Sequence, residues 1–250
     1  MATRREERQR LRNLREEAQE RDRARQQRLT RLAVAASLLV LCAVAVAILA
    51  SGGGGGDGGK VQGGKDVAER LAGLEQHGTL LGRPGAPTTV VEFGDLQCPV
   101  CKEYSTSLVA ELIDGPVRSG RARIEFRNWS ILGGESRLAG AAAYAAAEQN
   151  RFWNFVELFY RNQQTENSGY VTPAFLREIA QGAGVPDLAR WERDRRVARW
   201  RARMSRTEAE AHAHGFSGTP SFAVEGPHGT LALGTPGSTS EVEAALAEAE

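Results

Sequence analysis

The chain has 250 residues, 41% hydrophobic and 25% charged, with a formal net charge of +1. That balance suits one folded domain with appendages and excludes a chain too polar or too highly charged to bury a core. The near-neutral total hides an asymmetry, because residues 1–31 hold 11 Arg against six acids, or +5, leaving −4 for the remainder.

Residues 1–31 carry almost nothing apolar beyond Leu11, Leu14 and Leu29. Glu6/Arg10 and Glu17/Arg21 stand at helical i, i+4 spacing, so the segment reads as a solvated, partly helical, charged cytoplasmic tail. A polybasic arm on anionic lipid or nucleic acid is the sharper alternative, and the interspersed Glu argues against it; no nucleic-acid partner is expected. Leu32 to Ala50 is 19 residues without a charge. At helical rise it reaches about 28 Å, the thickness of a bilayer's hydrocarbon core, and predicts one transmembrane helix. The Arg excess on its N-terminal side places the N-terminus in the cytosol and the rest of the chain outside. A cleaved signal peptide is the rival, with Ala45-Val46-Ala47 resembling a cleavage site, but the tail and the apolar run are both long for one. Cys42, inside the run, reads as a small apolar residue.

Residues 51–64 contain nine Gly in fourteen positions, a flexible tether. The folded domain is expected over 65–250, in an oxidising compartment. Gly82 to Pro87 forms a loop leading into a buried strand over 88–94, and Cys98-Pro99-Val100-Cys101 follows at once.

If a helix begins after Cys98, that residue is its N-cap and Pro99 its first helical position, where a missing N–H costs nothing. Cys98 then faces the positive helix end, which favours the thiolate, the species that attacks or leaves a disulfide. Cys101 is one turn further in, on the same face and more shielded. Val100, Tyr104, Leu108 and Leu112 form a stripe along this helix, with Gly115-Pro116 stopping it. A zinc site would need further ligands: Cys42 lies in the apolar run, and His212 and His214 are poorly spaced, so no metal is expected. A purely structural disulfide is the other alternative.

Ala122 to Asn128 alternates as a half-buried strand. From Ser136 to His214 the pattern is helical. An Ala-rich helix spans Leu138 to Gln149; Phe152, Phe155, Val156 and Phe159 share one face of another; Thr172-Pro173 opens a third, ending at Gln181-Gly182; and Asp187 caps a further one carrying Trp191 and Trp200. Arg190 to Arg206 holds eight Arg against Glu192 and Asp194. A solvated helix face is the plain reading, and attraction to lipid head groups or acidic clients the sharper one. Ser221 to Val224 and Thr230 to Leu233 form a hairpin, and Ser240 opens a closing helix.

Gly82-x-Pro84-x-Ala86-Pro87, Val90-Val91-Glu92-Phe93-x-Asp95, Cys98-Pro99-x-Cys101 and Gly218-Thr219-Pro220-Ser221-Phe222, in this order, resemble the DsbA family over about residues 74–250. The resemblance implies an α/β thioredoxin-like fold with an all-helical insertion, at about 132–214, and thiol:disulfide oxidoreductase activity without a cofactor. It implies that Glu92 relays protons to the inner thiol, that Pro220 is a cis-proline packed on the redox pair, and that Thr219 offers backbone groups to an extended client beside Pro99 and Val100. The chain departs from stronger oxidants of the family, which often carry His between the cysteines, where Val100 stands here, and aromatic residues where Leu96-Gln97 stand. The partners implied are exported proteins with free thiols and a quinone-linked membrane reoxidant. A thioredoxin-like reductase and a non-catalytic peptide-binding module with a structural disulfide are the alternatives.

Overall fold

The computed structural model describes residues 61–250. The charged tail, the transmembrane run with Cys42 and most of the Gly-rich tether lie outside the described residues. Among the described residues no helix is long and apolar enough to cross a membrane. The last residues of the tether belong to the folded unit, because Val61 packs on the core and Gln62 exchanges hydrogen bonds with the Asn162 amide at 2.9 and 3.0 Å.

Helix α1 (Gly64–Arg70) leads into two two-residue strands, β1 (Gln76–His77) and β2 (Leu80–Leu81), then β3 (Thr88–Gly94). Helix α2 (Pro99–Thr106), α3 (Leu108–Leu112) and a π-helical turn (Ile113–Val117) return the chain to β4 (Ala122–Asn128). Helices α4 (Gly134–Ala147), α5 (Phe152–Arg161), α6 (Pro173–Gly182), α7 (Leu188–Asp194) and α8 (Arg199–Ala213) come before β5 (Ser221–Gly226), β6 (Gly229–Gly234) and α9 (Thr239–Ala249). The sheet order is β1-β2-β4-β3-β5-β6. Only β3 and β4 run parallel, as a pair joined by a helical crossover does. This is the expected thioredoxin-like α/β fold with helices inserted between β4 and β5.

Every residue of β3 is buried, because the strand is central and covered on both faces. Val91 and Phe93 pack with Ala211, Phe216 and Ala223 on one face, whereas Val90 joins the larger core on the other, where Glu92 also points. Ala122–Asn128 matches the expected strand, and its alternating burial follows from the pleat.

The helix after the cysteines differs from expectation in three ways. Its buried side carries Cys101, Ser105, Leu108, Val109 and Leu112, while Val100 stands 41% exposed. Tyr104 lies at the edge of that side, stacked on Phe222 with its hydroxyl donating to the Pro236 carbonyl at 2.8 Å. The helix breaks at Ser107, where the Thr106 and Ser107 hydroxyls both donate to the Glu103 carbonyl, at 3.1 and 2.7 Å, and compete with the helical ladder. Gly115-Pro116 does not stop it; the missing Pro116 N–H is absorbed by the wide turn, which continues through Val117.

In the insertion, Thr172 and Asp187 cap α6 and α7 as expected, accepting from Phe175 and Arg190 N–H at 3.1 and 2.8 Å. Trp191 and Trp200 lie on two helices, not one, because the Trp200 indole N–H donates to the Asp194 carbonyl at 2.7 Å and satisfies the end of α7. Helix α5 is buried on all sides except at Arg161 and forms the centre of the insertion. The closing helix is capped by Ser238, two residues before the expected Ser240, with its hydroxyl accepting from Glu241 N–H.

Candidate active site

Pro99 starts α2 and Cys98 is its N-cap, with the Cys98 sulfur accepting from Cys101 N–H at 3.4 Å. Cys98 is 6% exposed and Cys101 fully buried, and both are free thiols. Pro99 and Val100 form an exposed rim beside them. Across this rim, the Cys98 thiol donates to the Thr219 carbonyl at 3.4 Å, and the Thr219–Pro220 peptide is cis. Pro220 is buried, and its carbonyl accepts from the Thr235 hydroxyl at 2.8 Å.

The cysteines differ electrostatically. Cys98 is brought down from the ordinary thiol value to about 6, chiefly by the Cys101 thiol donating to its sulfur and further by Thr219 and the N–H groups of Cys101 and Val100, against an opposing effect of burial. The neighbouring thiol contributes more than the helix terminus that the sequence points to. Cys101 is pushed well above the ordinary value by burial first, then by the sulfur of Cys98 and the charge of Glu92. Glu92 is 1% exposed and its carboxyl is also raised well above the ordinary range, by burial first and then by the charges of Glu157 and Cys98. Its Oε1 has no hydrogen-bond partner among the described residues.

A set of side chains that sequence reasoning missed holds the loop before Cys98. The Asp95 carboxylate accepts from Gln97 N–H and Leu132 N–H, each at 2.9 Å. Gln97 donates to the Ser136 hydroxyl at 3.0 Å and accepts from Asn167 N–H at 2.9 Å. The Gln163 amide donates to the Leu96 and Cys98 carbonyls at 2.8 and 3.0 Å, and the Tyr160 hydroxyl to the Asp95 carbonyl at 3.2 Å. Asp95 lay within the quoted motif, but no local pattern marks Tyr160 or Gln163, which the insertion brings to the loop. The His212 ring meets Trp129 edge-on, and the His214 ring meets Phe93 edge-on and Phe216 at a tilt. Among the described residues no group of three or more His, Cys, Asp or Glu could hold a metal.

A helix-capping dithiol with one ionisable and one shielded sulfur, on a thioredoxin-like sheet, defines a thiol:disulfide oxidoreductase. A family model described as Thioredoxin matches residues 75–237. The probable disulfide bond formation protein D of Bacillus cereus is 29% identical over 150 residues, covering 58% of this chain and 69% of that protein. A thioredoxin-like oxidoreductase from Silicibacter pomeroyi DSS-3 superposes with a TM-score of 0.56 at 30% identity, over 68% of this chain and 90% of that one. Oxidised BdbD from Bacillus subtilis superposes with a TM-score of 0.60 at 21% identity, over 70% and 96%, and bears on the fold alone. The chain belongs to the DsbA-like thiol:disulfide oxidoreductases, with Cys98 and Cys101 as its CxxC pair.

Proposed function

We infer that the protein is a membrane-anchored, extracytoplasmic oxidase that introduces disulfides into exported proteins. The observation that carries this reading is the opposite displacement of the two thiols, Cys98 down to about 6 and Cys101 well up. A client thiolate attacks Cys98 of the enzyme disulfide, and Cys101 leaves and takes a proton, for which the buried Glu92 carboxyl is the donor. A second client thiolate then attacks the client sulfur of the mixed disulfide, and Cys98 leaves as a thiolate that the α2 terminus and the Cys101 thiol stabilise. Two client thiols are oxidised and one enzyme disulfide is reduced.

Thr219 and Pro220 position the extended client chain opposite Cys98, with Pro99 and Val100 as the apolar rim. The reduced pair is reoxidised by a quinone-linked membrane partner. The uncharged apolar run over 32–50, with its Arg-rich N-terminal flank, supports the anchor and the outside location, and a related protein named for disulfide bond formation supports the direction. Membership of an oxidoreductase family sets aside the non-catalytic module, whereas a thioredoxin-like reductase is the reverse of the same reaction. Mixing the oxidised protein with a reduced, unfolded dithiol protein tests direction: the client should gain a disulfide. A client left reduced, together with rapid reduction of disulfide clients by the dithiol form, would favour the reductase. External protease on intact cells or spheroplasts should clip the Gly-rich tether and release the folded domain, and its protection would overturn the location.

A further inference from the structure

Four large apolar side chains stand well exposed among the described residues: Val100 beside Cys98, and Ile131, Leu138 and Val197, at 42% to 49%. The last three line one feature, a pair of hollows of about 650 and 410 Å³ that share Arg137, Arg201 and Met204 and so form a continuous trough across α4 and α8. Arg137 and Arg201 are exposed and make no ion pair among the described residues. The other charges on its walls are largely engaged. Arg195 and Arg196 share Glu192, and the Glu135 carboxylate accepts from Gly169 and Val171 N–H. Glu208 lines the smaller hollow.

The trough is tied to the redox site. Ile131 precedes Leu132, whose N–H donates to Asp95, and Arg137 follows Ser136, whose hydroxyl accepts from Gln97. Asp95 and Gln97 are the side chains that hold the loop before Cys98.

Resting on the oxidoreductase reading, we propose that this trough docks an acidic, apolar-bearing stretch of an unfolded thiol client while Cys98 engages that client's sulfur. Two unpaired guanidinium groups flank exposed apolar side chains, which complements carboxylates interspersed with aliphatic or aromatic residues. The concave shape suits an extended polypeptide, whose side chains enter a trough, better than the plane of a lipid surface. Docking beyond the reacting cysteine raises the effective concentration of the client thiol at Cys98.

The test uses the full-length protein and three dithiol peptides: one unflanked, one extended by an acidic-apolar stretch and one by a basic-apolar stretch. The acidic extension should lower KM about fivefold relative to the basic one, the ratio two exposed ion pairs give. In Arg137→Glu/Arg201→Glu, on exposed side chains, that preference should vanish or invert while the unflanked peptide is oxidised as before. Equal KM values for the extended peptides, or a preference that survives in the variant, would overturn the proposal. Hydrogen exchange over residues 134–141 and 197–204 reads docking without catalysis. Protection by the acidic peptide supports the proposal, and protection by phosphatidylglycerol vesicles alone overturns it in favour of a lipid surface. An unflanked peptide left unoxidised counts against the oxidase reading, whereas the exchange result stands by itself.

Discussion

The Cys98 thiol donates to the backbone carbonyl of Thr219 at 3.4 Å, across 121 positions of sequence. Once ionised, Cys98 has no proton to give that carbonyl. The Thr219 hydroxyl is buried and has no hydrogen-bond partner among the described residues, so it is the donor available to the thiolate. Thr219→Val keeps the shape and removes that donor. Its Cys98 should titrate about one unit higher than the wild type, the worth of a hydrogen bond to a charged group, in the pH dependence of thiolate absorbance. An unchanged titration would remove Thr219 from the account.

The same titration tests the larger influence. Wild-type Cys98 should be half ionised at about 6. Because the Cys101 thiol is the main group lowering it, Cys101→Ala should raise the midpoint further than Thr219→Val does. A larger effect of Thr219→Val would return the emphasis to the facing loop.

Glu157 is a second buried carboxyl beside the redox helix. It accepts from the Ser105 hydroxyl at 3.0 Å, and an Arg70 guanidinium lies 3.9 Å away. Burial, partly offset by Ser105 and Arg70, raises its carboxyl to about 6. An acid raised on folding binds more protons when folded, so its contribution to stability is fullest at low pH and falls as pH rises through the window between about 4.5 and 6. One and a half units correspond to about 2 kcal/mol. Glu157→Gln keeps an acceptor for Ser105 and removes the charge. Urea unfolding should show the variant gaining about 2 kcal/mol relative to wild type between about pH 4 and about pH 8. A gain that is the same at both pH values would show that Glu157 titrates normally.

Close packing between the insertion and the sheet is also testable. A Cβ at Gly140 would collide with Nδ2 and lie 2.8 Å from Cγ of the buried Asn128, at the end of β4. Gly140→Ala should cost about 1–3 kcal/mol in denaturant unfolding despite better helix propensity, because Asn128 has to move. Stabilisation would mean that α4 stands off from the strand.

What was legible in the sequence follows from local physics. Thr88–Gly94 and Ala122–Asn128 carried β-branched content or alternation, Thr172 and Asp187 are caps whose partners lie three residues on, and the Cys-Pro step fixes the start of α2. The rest depended on distant groups. The break at Ser107 arises from two hydroxyls choosing the same carbonyl, and Glu92 is buried because its strand is central, which a single strand pattern does not reveal. The polar clamp on the cysteine loop draws Tyr160 and Gln163 from an insertion more than sixty positions away in sequence.

The central claim is the division of labour between the sulfurs, and the most direct measurement is trapping of client mixed disulfides. In Cys101→Ser the Cys98 thiolate attacks a client disulfide and releases one client thiol, and with no Cys101 thiol to attack Cys98 and expel the client the complex should accumulate, as reductant-sensitive bands that mass spectrometry places on Cys98. Cys98→Ser, which leaves only the buried, poorly ionised Cys101, should trap none. Complexes forming through Cys101 in Cys98→Ser, and none in Cys101→Ser, would contradict the account.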